Sequence, residues 1–371
     1  MKKLILSIFM MAALTSCAQQ YYLFTGTYTN NGSKGIYVYT FDAKTGNVKE
    51  TSSTENVQDP SYLVVSDNGK YVYSVNETGG EKPGSVSAFS FNKNSGKLSF
   101  LNTQPSMGDH PCYIDIDKSG KYVIVGNYSG GNLAVLETEK GSLKPAVQVI
   151  QHTGSSANKM RQEKAHVHMT QLSRDDKYLF VPDLGMDKVM IYPFNAKNTK
   201  PLNEAAKKEV TINPGNGPRH LTFHPTKNFV YLIEELSGTV SAFTMEDGDL
   251  KNIQSINSHP ENFEGTKGSA DIHVSPDGKF LYASNRGSSN TIAIFEIDQN
   301  SGKLTNKGFQ PTLGTAPRNF VIDPTGNFLL VANQMTNNIV VFKRNKTTGM
   351  LSETGRVINV PSPVCLKFLK K

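Results

Sequence analysis

The sequence predicts an all-β chain folded as a seven-bladed β-propeller with four-stranded blades. Three observations predict it. A phrase of two short apolar strands around a polar turn recurs at nearly constant spacing. Two further strand-like runs follow each phrase. The two ends of the chain each supply part of one more unit.

The phrase opens at Pro60, Pro111, Val167, Pro218, Ser269, Pro317 and Pro363, so successive units lie 51, 56, 51, 51, 48 and 46 residues apart. Residues 60–77 read PSYLVVSDNGKYVYSVNE, and residues 317–334 read PRNFVIDPTGNFLLVANQ. Alternating apolar residues bounded by Asn, Asp, Gly and Ser are a strand–turn–strand signal. Runs such as Gly84-SVSAFSF and Lys97-LSFLNTQ add the third and fourth strands of a unit. A lone four-stranded sheet cannot bury both of its faces, so such units stack in a ring. Residues 21–50 read as the second, third and fourth strands of a blade that lacks its first. Residues 363–369 read as a first strand with nothing after it. Joined, they make the seventh blade and leave no open sheet edge between the chain ends.

Composition agrees and narrows the function. Charged residues are 19% and hydrophobic residues 37%, too apolar and too weakly charged for a disordered chain. The three Cys residues form no Cys-x-x-Cys pair, which excludes a disulfide scaffold and a zinc ribbon. The net charge is +7, but its lysines are scattered through turns such as Asn68-Gly69-Lys70 and Ser301-Gly302-Lys303. No basic stripe forms, so nucleic acid is not an expected partner.

The first residues read as an export signal. Met1-Lys2-Lys3 is positive, Leu4 to Leu14 is apolar but too short to span a bilayer, and Leu14-Thr15-Ser16-Cys17 looks like a lipobox. The expectation is a lipoprotein signal peptide over residues 1–16, lipidation at Cys17, and one propeller domain over residues 17–371. The mature protein is then exported and membrane-anchored by its lipid.

In a blade the first strand lies nearest the central channel, and it is antiparallel to the second. The start of one and the end of the other therefore share a rim. The residues after the seven unit starts are Ser61, Cys112, His168, Arg219, Ala270, Arg318 and Val364. The residues closing the second strands are Glu77, Tyr128, Leu184, Glu235, Arg286 and Gln334. Slots kept only for packing carry similar residues; these carry three Arg, two Glu and a His. Arg suits bidentate binding of an anion, and Glu and His supply acid–base chemistry.

The chain resembles the seven-bladed β-propeller lactonase family, whose members include bacterial 6-phosphogluconolactonase and a related 3-carboxy-cis,cis-muconate lactonizing enzyme. The resemblance spans residues 21–370. It rests on an ordered set: Arg161-Gln162-Glu163 with Ala165-His166-Val167-His168, Gly217-Pro218-Arg219-His220, Glu234-Glu235-Leu236, Ala270-Asp271-Ile272-His273, Asn285-Arg286 and Pro317-Arg318-Asn319-Phe320. The resemblance implies hydrolysis of a sugar lactone or related anionic lactone, with His168, Arg219, Glu235 and Arg286 as catalytic residues. Glu235 is then the expected base for the attacking water, and His168 gives or relays the proton. Arg219 and Arg286 hold the oxyanion or the substrate's acidic group. Arg318, Glu77 and His166 are the substrate-binding candidates.

His166 with His168, and Asp271 with His273, have the i, i+2 spacing of residues on one strand face. No run of Asp and Asn oxygens accompanies them, and the reading calls for no metal and no other cofactor. Two alternatives remain at this level. The same residues serve a ring-closing lyase or isomerase of the muconate type, and an exported propeller can also be a non-enzymatic binding module.

Overall fold

The computed structural model describes residues 19–371. Their strands form seven four-stranded antiparallel sheets, and the only helical turn among them is Glu204–Ala206. Cys17 and the leader lie outside the described residues. Blades are numbered here from the unit at Pro60. The seventh is the composite: Pro363–Lys370 is its innermost strand, followed by Gln20–Thr27, Tyr37–Asp42 and Val48–Ser53. Tyr21 pairs with Lys370 and Gly26 with Cys365, so the ladder between the two ends runs the length of both strands.

Burial explains the sequence pattern of each strand. Second strands such as Tyr122–Asn127, Phe229–Glu234 and Phe328–Asn333 are buried at every residue. Each is covered on both faces by neighbouring blades. Outermost strands such as Lys97–Pro105 and Leu351–Asn359 are mostly exposed or half-buried, since one edge meets solvent. The turn between first and second strands takes a left-handed residue in most blades. Gly278 supplies it in blade five at φ +71°, and Asp176 takes that place in blade three at φ +55°.

The innermost strands carry a repeated irregularity. The ladder steps from Pro111 to Tyr113, from Pro218 to His220 and from Pro317 to Asn319. Cys112, Arg219 and Arg318 are the skipped residues. A bulge of this kind re-aims a side chain out of the sheet's alternation. In blade three the innermost strand shortens to Gln171–Leu172 plus a bridge from Val167 to Asp183. Pro182 stands opposite His168, accepts its N–H at 3.1 Å and has no N–H to return, and the ladder resumes only at Gln171. Across every gap a fixed bond remains. Glu77, Tyr128, Leu184, Glu235, Arg286 and Gln334 each donate their backbone N–H to a carbonyl just before the inner strand of their own blade, for example Glu235 N to Gly217 O at 2.7 Å.

Ring closure depends on the packing of the last strand. Leu366 is 1% exposed and sits in the core shared by the composite blade and blade six. Leu366→Ala should cost about 2–5 kcal/mol. A urea unfolding midpoint unchanged from wild type would show that closure does not rely on this contact.

Candidate active site

The bulges and fixed bonds bring the rim residues to one mouth. A cavity of about 570 Å³ opens there, lined by Glu77, Cys112, Tyr128, Arg161, His168, Glu235, Lys267, Arg286 and Arg318 among others. Glu235 is its centre. Arg161 Nη2 donates to Glu235 Oε1 at 2.7 Å, and Arg219 Nε donates to Oε2 at 2.8 Å. Arg286 Nη2 stands 3.0 Å from Oε2. Burial would raise the Glu235 carboxyl, but Arg286, then Arg219 and Arg161, overcome it and hold the group well below the usual carboxylate range.

Arg219 lies beneath the wall rather than on it, with 1% of its surface exposed. Its Nη1 donates to Ala270 O. Arg286 donates Nε to Gly268 O at 2.9 Å. Arg318 is less committed. Its Nη2 is 3.9 Å from Glu77 Oε1, and its guanidinium lies 5.6 Å from the centre of the Tyr28 ring. Glu77 is occupied by Tyr28 Oη at 2.9 Å and by the Ser61 hydroxyl. Five cationic groups (four guanidiniums and the Lys267 ammonium) thus face two carboxylates.

His168 is buried between Tyr128 and His220, whose rings meet it edge-on at 5.4 and 5.3 Å. Its Nδ1 is 3.8 Å from Cys112 Sγ, and its Nε2 takes no hydrogen-bond partner among the described residues. Burial, then Arg219, His220 and Arg318, push the imidazole well below its ordinary value. It is neutral at neutral pH. Burial and Glu77 push the Cys112 thiol up, so this Cys is no thiolate nucleophile.

The structure therefore gathers His168, Arg219, Glu235, Arg286, Arg318 and Glu77. It places His166 behind them. The His166 ring stacks on Tyr128 at 4.4 Å, with Nδ1 3.0 Å from Tyr128 O and Nε2 3.1 Å from Glu163 Oε1. His166 supports the wall and does not line the cavity, and the two histidines do not converge on a common point.

Arg161 is the residue that sequence reasoning passed over as a site member. Its signal is the 56-residue spacing between the second and third units, against 46–51 elsewhere. The additional residues form a loop pinned by buried Gln162, whose Nε2 donates to Leu184 O at 2.8 Å and whose Oε1 accepts from Asn158 N at 2.9 Å. The loop delivers Arg161 to the carboxylate of Glu235.

Comparison with known proteins supplies the class. Residues 22–368 match the family model described as "Lactonase, 7-bladed beta-propeller". The 6-phosphogluconolactonase of Formosa agariphila is 41% identical, across 89% of this chain and 94% of that protein. A crystal structure from Bacteroides fragilis superposes with a TM-score of 0.90 at 44% identity, covering 95% of this chain and 98% of its own. The periplasmic gluconolactonase of Pseudomonas aeruginosa superposes with a TM-score of 0.88 at 37% identity, covering 94% and 99%. The chain belongs to the seven-bladed β-propeller lactonase family. It is a lactonase, an enzyme that opens a cyclic ester with water.

The buried imidazoles predict a pH response. His220 is pushed down to about 3 by burial and then Arg219, and His259 to about 4 by burial and then Lys267. The unfolded chain binds these protons below about pH 6.5, and the folded chain does not. Stability should fall as the pH drops from about 6.5 towards 4, with each group contributing up to about 1.4 kcal/mol per pH unit. Urea midpoints measured across that window test it; a flat profile contradicts the neutral assignments.

Proposed function

We propose that this lactonase hydrolyses an anionic sugar lactone at the Glu235 mouth, with neutral His168 as the base. The observation that carries the reading is the contrast between two side chains. Both Glu235 oxygens are taken by arginines, whereas Nε2 of His168, which lines the cavity, has no partner among the described residues. A carboxylate clamped in this way is a weak base, and its geometry suits it to fix the guanidiniums.

In the reaction, His168 Nε2 takes a proton from water as the water oxygen bonds to the ring carbonyl carbon. The carbonyl electrons move to an oxyanion, which the arginine donors stabilise. Collapse of that intermediate breaks the bond from carbon to ring oxygen. His168 returns its proton to the ring oxygen, and a hydroxy acid leaves. The substrate's own charge assists. The cationic surroundings depress the His168 imidazole, and an added anion offsets them and raises its basicity. Arg318 is the guanidinium with the fewest commitments, so we assign it the substrate's acidic group.

Relative to the sequence expectation, the base role thus passes from Glu235 to His168, and Glu235 fixes the arginines. His168→Gln should lower kcat by about 10²–10⁴ if it is the base. Wild-type turnover in that variant returns the role to Glu235. Arg318→Ala should lower kcat/KM for 6-phosphogluconolactone by roughly 10–100-fold while sparing glucono-δ-lactone, a difference on the scale of one charged hydrogen bond. Equal losses on both substrates remove Arg318 as the reader of charge. A panel that includes a carboxymuconolactone tests ring closure against hydrolysis. No turnover on any member favours the binding module.

We also propose that the protein is an exported lipoprotein anchored through Cys17. The charged and apolar leader supports this, as does the similarity to a periplasmic gluconolactonase. The described chain begins at the rim opposite the mouth, since Gln20–Thr27 runs from that rim towards Ser362. Metabolic labelling with radioactive palmitate should mark the wild type and not Cys17→Ser. Equal labelling of both argues against the anchor.

A further inference from the structure

Below the site, the channel holds a second buried cluster that takes no part in the proposed reaction. Its hub is Asp271, 2% exposed, on the innermost strand of blade five. His220 Nδ1 donates to Asp271 Oδ1 at 2.9 Å. His273 Nε2 donates to Oδ2 at 2.9 Å, and Asn319 Nδ2 donates to the same oxygen. Asn319 Oδ1 in turn accepts Leu366 N at 2.7 Å. One carboxylate therefore ties together inner strands from blades four, five, six and seven. Burial would raise the Asp271 carboxyl, but His273 and the hydrogen bond from His220 more than reverse it and hold it well below its ordinary value.

The link to the site runs through His220. Arg219 Nη1 is 3.3 Å from His220 Nε2 and 3.5 Å from Nδ1. Two nearly equal distances to both ring nitrogens place the amino group across the face of the imidazole, not in line with one lone pair. A guanidinium packs well on a neutral aromatic face and poorly on a charged one. The rings of Tyr113 and Tyr62 meet His220 edge-on at 5.3 and 6.0 Å and leave it little room to turn. Arg219 then reaches Glu235 through Nε at 2.8 Å.

We propose that Asp271 and His220 are positioning residues for the lactonase site. Asp271 orients the neutral His220 ring, and the ring is the platform that holds Arg219 beneath Glu235 and beside His168. This rests on the lactonase reading of the mouth. Burial and Arg219 keep His220 uncharged at neutral pH, as the platform requires.

The test compares His220→Ala with His220→Phe in the full chain. Loss of a partner that orients a working group typically costs about 10–100-fold. His220→Ala should lose that much in kcat on a lactone the wild type hydrolyses, with KM within about threefold. His220→Phe restores a flat ring and should recover most of the loss. An equal defect in both variants, or a kcat for His220→Ala within twofold of wild type, overturns the proposal. Should His220→Ala not fold, Asp271→Asn takes its place, with a kcat loss expected and an unchanged kcat overturning. A second readout is independent of turnover. Phenylglyoxal, mapped by mass spectrometry, should modify Arg219 slowly in the wild type and faster in His220→Ala; equal rates overturn the platform. Wild type inactive on every lactone rejects the lactonase reading, and the phenylglyoxal comparison still decides this one.

Discussion

Everything at the mouth depends on the pairing of Gln20–Thr27 with Pro363–Lys370. A propeller sheet cannot bury its faces alone, so each blade needs two neighbours. The ladder between the chain ends supplies the last neighbour and turns a row of sheets into a ring. Only in a ring do inner strands from blades three, four, five and six point at one axis. His168, Arg219, Arg286 and Arg318 come from four different blades, and no local motif could assemble them.

The axis imposes a second constraint, because charges placed there leave water. An unpaired buried charge is very costly, so each must find a partner. The structure answers with two carboxylate hubs at different depths. Glu235 gathers three guanidiniums near the opening, and Asp271 gathers two imidazoles and an amide below it. Arg219 belongs to both layers, since it donates to Glu235 and packs on His220. The upper hub keeps accessible cations in excess, and the lower one ties together the inner strands of four blades. That difference separates a surface that can accept a ligand from one that braces it.

The ring was legible in the sequence because it is repetitive. Pro60, Pro111, Pro218, Pro317 and Pro363 mark the same structural moment, and the truncated seventh unit announces the composite blade. The rim residues were legible for the related reason that unlike side chains stood in equivalent slots. What the repeat could not show was depth and partnership. Arg161 sits in an enlarged loop, outside the register. His166 shares a strand face with His168 on paper, but its ring stacks on Tyr128 and is held by Tyr128 O and Glu163. Glu235 looked like a base as a residue type. Three arginines converge on its carboxylate and hold it well below the usual carboxylate range, and a linear reading does not count neighbours across the channel.

The skipped residues of the inner strands have a wider consequence. Cys112, Arg219 and Arg318 occupy the same place in three blades, and in each the ladder resumes one residue later. A thiol and two guanidiniums fill that place while the pairing on either side is the same. The strand's hydrogen bonding is therefore indifferent to what stands there. Such a scaffold separates the instructions for folding from those for recognition. Its mouth can be rewritten one blade at a time, in divergence or in engineering, without renegotiating the sheets beneath.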